Sequence, residues 1–178
     1  MGSNRGVIAE LSRDHHRVQN LLDQVRAAAP DSEGRAEVVE RVTTHLARHL
    51  TTERERLHPL LHQYVVDGDD WTGRLLAGDG EIEQTLSSLR AVPPHGEECV
   101  RLLLTLSDQV ARHVVELEEL VFPRLQAMSP ATALRDAGVR AHRADAVASD
   151  SAEPARLTAS FYGPWGRLRD WVRRCGRL

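Results

Sequence analysis

Apolar residues recur at intervals of three and four along most of the chain, the spacing of one helix face rather than the alternation of a strand. Four such stripes stand out. The first runs through Ile8, Leu11, His15, Val18, Leu22 and Val25, and the second through Val39, Val42, Leu46, His49, Glu53, Leu57 and Leu60. The third carries Leu75, Asp79, Ile82, Leu86 and Leu89, and the fourth Leu103, Leu106, Val110, His113, Leu117 and Leu120. Glycine and proline gather between them, at 30–34, 67–80 and 93–96, and again at 154–166. Four amphipathic helices with short connections predict an all-α, up-down-up-down four-helix bundle.

The two halves resemble each other. A shift of 64 residues lays Leu11 on Leu75, Val18 on Ile82, Leu22 on Leu86, Val42 on Leu106, Leu46 on Val110, His49 on His113 and Pro59 on Pro123. The same shift lays Asp79 on His15 and Leu117 on Glu53. The bundle therefore reads as a duplicated helical hairpin over residues 1–127. Residues 128–178 read as a C-terminal extension. In it Ser129-Pro130 starts a short helix toward Ala148, residues 150–154 form a linker, and the tail from Trp165 is rich in arginine and tryptophan. Five arginines against Asp170 put the tail at +4, which leaves −7 on the rest of a chain of net charge −3. That opposition favours the tail packing Trp165, Leu168, Trp171 and Val172 on the bundle over lying on an anionic membrane.

Each predicted helix places imidazole or carboxylate within its apolar stripe: His15, His49 with Glu53, Asp79, and His113. Such groups are costly in a dry interior unless something satisfies them. His49 and Glu53, at i and i+4, point at one interior spot. A metal ion would neutralise the carboxylates and use the imidazole lone pairs. Mixed nitrogen and oxygen donors suit iron or manganese better than calcium, and the lack of thiolate disfavours structural zinc.

Composition narrows the field. With 41% hydrophobic and 28% charged residues the chain can bury a core. All 23 basic residues are arginine, which excludes P-loop and lysine Schiff-base chemistry. The net charge argues against nucleic acid as a partner. No apolar run is long enough to span a bilayer, and residues 1–6 lack the apolar core of a secretion signal. Cys99 and Cys175 have no metal-type spacing, so a reducing cytoplasm is the expected location.

Three runs carry a resemblance to a known family: Asp14-His15-His16, then His49 to Glu53 leading to Leu57-His58-Pro59, then His113 leading to Glu118-Glu119 and Val121-Phe122-Pro123. They resemble the hemerythrin-like proteins of the HHE cation-binding branch, over residues 5–126, and the tail is similar to that of actinobacterial members. The resemblance implies a bundle around two non-haem irons with carboxylate and oxo or hydroxo bridges. Family members bind dioxygen, sense oxygen or iron, or process nitric oxide and peroxide.

Two positions depart from the family pattern. Asp79, with Glu83 one turn on, stands where a helix-three histidine is expected, and Leu117 stands where the second HxxxE run needs its glutamate. Glu118 follows His113 by five, as the helix-four carboxylate does in the oxygen carriers, and Glu116 is the other candidate. The expected metal ligands are thus His15, His49, Glu53, Asp79, Glu83, His113 and Glu118. For Asp79 the alternative is a helix cap or a partly solvated acid after the loop. His16, His58 and His62 read as surface, His45 as an outer or interfacial residue, His95 and His142 as unpatterned, and Trp71 as packing where the loop joins helix three.

The expected function is redox or oxidative chemistry on a small diatomic ligand or peroxide. An added carboxylate favours the ferric state, which disfavours reversible oxygen carriage. The alternatives are a sensor or binding protein without turnover, and a bundle holding one metal or none that serves another task.

Overall fold

A computed structural model describes residues 6–29, 32–93 and 96–138. Six helices and two π-helical turns join into four rods. The first rod is α1, Val7–Ala27. The second is α2, Glu33–Thr52, continued through a π turn at Glu53–Leu57 into α3, His58–Tyr64. The third is α4, Gly68–Ala91. The fourth is α5, Glu97–Val115, continued through a π turn at Glu116–Val121 into α6, Phe122–Met128. Short loops fold each rod back on its predecessor, so α1 packs on α2, α3 on α4, and α4 on α5. This is the all-α bundle the stripes predict, and no strand occurs among the described residues. No helix among them is long and apolar enough to cross a membrane. Residues 131–138 are helical, following Ser129-Pro130. The rest of the extension, with the linker, the basic tail, His142 and Cys175, lies outside the described residues, as does His95.

The π turns have a sequence cause. Proline lacks an N–H and its ring clashes with the carbonyl four residues earlier, so a helix entering it must rewind. Pro59 and Pro123 are each the second residue after a π turn. The backbone N–H of His58 reaches back five residues to the Glu53 carbonyl, and that of Phe122 reaches Leu117 in the same way. The extra residue per turn moves the buried face one position along the chain. Leu120, expected on the core stripe, is therefore exposed, while Val121 and Phe122 are buried. His58, expected at the surface, is buried for the same reason.

The glycine-rich stretch at 67–80 breaks nothing. α4 runs unbroken from Gly68, so Asp79 lies mid-helix and not in a cap. Gly68 is needed at the α3–α4 turn because a Cβ there would fall 2.1 Å from the Leu61 carbonyl oxygen. Ser32 caps α2, its hydroxyl accepting the Arg35 N–H at 3.3 Å. Trp71 lies in the first turn of α4, between the guanidinium groups of Arg74 and Arg124 at 4.7 and 4.8 Å, and packs on the core.

The interior is divided. One apolar cluster holds Val18 to Val25, Val42 to Leu50, Ile82 to Leu89 and Cys99 to Val114. The other holds Val7, Leu11, Leu57 to Val65, Leu75 and Leu117 to Leu125. Along every rod the change from one cluster to the other falls at the polar positions His15, His49 to Glu53, Asp79 and His113. The result is one buried polar layer between two hydrophobic ones.

Candidate metal centre

Each side chain of the layer arrives on a rod whose apolar stripe fixes its rotation. His15 sits between Leu11 and Val18 on α1; Asp79 sits between Leu75 and Ile82 on α4. His49 lies in the last turn of α2, Glu53 opens the first π turn, and His113 lies in the last turn of α5. His15, His49, His113, Asp79 and Glu53 are all buried, Glu53 and Asp79 completely.

Three imidazoles and a carboxylate meet at one point. His49 Nε2 lies 2.6 Å from Glu53 Oε1, 3.1 Å from His15 Nε2 and 3.4 Å from His113 Nε2. His113 Nε2 is 3.0 Å from the same Glu53 oxygen. A carboxylate is only an acceptor, so Glu118 Oε1, 2.8 Å from His15 Nδ1, takes the proton of that nitrogen. His15 Nε2 is then left with a lone pair facing inward. One proton on His49 Nε2 cannot serve His15, Glu53 and His113 together. These close contacts therefore cannot all carry a proton, and a cation at their focus removes the conflict. Donors about 2.0–2.2 Å from one ion lie about 3 Å apart when adjacent, which is the spacing seen here.

A second group shares Glu53. Glu53, His58 and Asp79 offer donor atoms within 4.8 Å of one another, as do His15, His49, Glu53 and His113. Glu53 Oε2, His58 Nε2 and both Asp79 carboxylate oxygens are buried without a hydrogen-bond partner. Asp79 Oδ1 approaches His113 Nδ1 only to 3.6 Å, and Oδ2 approaches Arg54 Nη2 to 3.5 Å. Orphaned acceptors at this density are expensive in an apolar interior, and they fit a metal-binding layer.

The electrostatics agree. Burial, with the charge of His49, lowers His15 to a pKa of about 4, despite its bond to Glu118. Burial, with the Glu53 carboxylate, raises Asp79 to about 7. Burial opposes ionisation of Glu53, yet His113 and His49 carry it well below the usual carboxylate range. His113 is raised: burial opposes its charge, but Glu53 outweighs it.

The structure brings five of the seven expected ligands into the layer: His15, His49, Glu53, Asp79 and His113. Glu83 and Glu118 stand outside both groups. Glu83 is partly exposed and pairs with Arg54 Nη1 at 2.8 Å. Glu118 stands one residue past Leu117, which keeps the stripe position four after His113 and is fully buried; Glu118 orients His15 instead. Glu116 points toward Arg74 at 3.9 Å. His58 is the member that helical periodicity misses. Its signal is the i+5 spacing from Glu53 directly ahead of a proline. His16 is exposed and His45 half-buried; His62 pairs with Asp69 at the surface.

Residues 6–125 match the family described as Hemerythrin HHE cation binding domain. No curated protein and no solved structure matches the chain.

Proposed function

The chain belongs to the hemerythrin HHE cation-binding family, and on that premise we propose that it is a non-haem di-iron protein carrying out redox chemistry on dioxygen, peroxide or nitric oxide. The observation that supports this most is the convergence of three imidazole Nε2 atoms on Glu53 Oε1. His15, His49, His113 and Glu53 would hold one iron, and the far oxygen of Glu53 faces a second position beside Asp79. Manganese suits the same donors. Iron supplies exchangeable electrons and an open coordination position for a small ligand.

The chain's own residues set what that position can take. Glu118 holds His15 in the tautomer that presents Nε2 inward. The apolar clusters on both sides keep bulk water from the layer. Arg54 bridges Asp79 to the partly exposed Glu83, a polar edge between the layer and solvent. Asp79 adds an anion where the first half has neutral His15. That stabilises the oxidised metal, which suits peroxide or nitric oxide chemistry and works against reversible oxygen carriage. A cytoplasmic location is part of the same reading.

Stopped-flow mixing of the ferrous-loaded chain with peroxide or with nitric oxide tests this. The expected result is a change in the visible spectrum faster than for free ferrous iron in the same buffer, lost in His49→Ala. A spectrum unmoved by either reagent and by dioxygen would contradict it.

A further inference from the structure

The two rods that carry π turns differ at one buried position. Before Pro123 the chain has Phe122, buried and stacked on His15 with ring centroids 5.9 Å apart. The repeat-equivalent residue before Pro59 is His58, also buried. Phe122 demonstrates that a hydrocarbon ring packs in this register, so packing alone calls for no nitrogen at 58. An imidazole there costs free energy unless its nitrogens are used. Yet His58 Nε2 has no hydrogen-bond partner.

What surrounds that nitrogen gives it a use. The π turn bonds His58 N–H to the Glu53 carbonyl five residues back, which stacks the two side chains on one face. Across from them, α4 supplies Asp79, fully buried, with neither oxygen hydrogen-bonded and only long ion pairs to His113 at 3.6 Å and Arg54 at 3.5 Å. The donor atoms of the three residues lie within 4.8 Å of one another. We propose that His58 is the nitrogen donor of the second metal position, completed by Asp79 and joined to the first through Glu53. This rests on the reading of the layer as an iron site. The halves have then exchanged roles. The second half lacks a carboxylate at Leu117, and the first compensates with an imidazole at His58. One imidazole and two carboxylates make a harder, more oxygen-rich set than the three imidazoles next door, so the second ion should be the more weakly held.

Iron stoichiometry of the full chain provides the test, measured after ferrous loading in air and desalting, together with electron paramagnetic resonance. The expected wild type holds about two irons per chain and is silent, because two ferric ions joined by a bridge couple. His58→Phe, which copies the packing of Phe122, and His58→Gln, which keeps a polar side chain, should each hold about half as much iron and show an isolated ferric signal. Both variants keeping the wild-type iron content and silent spectrum would overturn the role of His58 and leave the reading of the first position intact. An iron-free wild type would overturn both.

Discussion

The two halves of the bundle share a backbone and differ in chemistry. Each has a long helix, then a rod interrupted by a π turn just ahead of a proline. Each rod also ends alike, with Val65 N–H bonding the Leu61 carbonyl at 3.0 Å and Ser129 N–H bonding Leu125 at 2.8 Å. Where the first half presents His15, Glu53 and His58, the second presents Asp79, Leu117 and Phe122; only His49 and His113 agree. The backbone follows from the apolar stripes and two prolines, which tolerate these exchanges. The chemistry follows from three positions, and it becomes lopsided: three imidazoles on one side of Glu53, and a mixed set of His58 and Asp79 on the other.

Making one half imitate the other should separate these two levels. The largest effect is expected from Glu53→Leu, the residue its counterpart already has. Metal analysis should find bound iron lost. The metal-free variant should lose about 3–5 kcal/mol in urea unfolding, because His49 and His113 stay buried without the carboxylate that pairs with them. The reverse change, Leu117→Glu, places a carboxylate in a fully buried apolar site. It should cost the metal-free protein about 2–5 kcal/mol by the same measurement. Gly68→Ala probes the α3–α4 turn, where the counterpart position holds Thr132. The 2.1 Å approach of its Cβ to the Leu61 oxygen should destabilise the fold by about 1–3 kcal/mol in thermal unfolding, with iron content per folded chain unchanged. The smallest structural effect is expected from Asp79→His, which makes position 79 match His15. Spectroelectrochemistry should find the reduction potential raised and the ferrous state longer lived in air, with the fold intact.

The stripes, the repeat and the inward residues His15, His49, Glu53 and His113 were legible in the sequence because α-helical phase holds within each of α1, α2, α4 and α5. Reading fails where that phase fails. Each π turn advances the buried face by one residue, so Leu120 and His58 are misplaced by a 3.6-residue count. Glu118 was expected from the family's spacing of five, but Leu117 holds the inward position beside it, and Glu118 bonds His15 instead. Asp79 was legible by its repeat position but ambiguous beside so many glycines. Burial within α4 resolves it, since helix-packing energy outweighs the weak helix propensity of Gly73, Gly78 and Gly80.

The central claim is that the buried layer between the two apolar clusters is held together by iron. The most direct measurement is iron content with the absorption spectrum of the full chain after aerobic iron loading. The account predicts about two irons per chain and near-ultraviolet and visible absorption from a bridged ferric pair. A colourless protein that retains no iron after loading would contradict it.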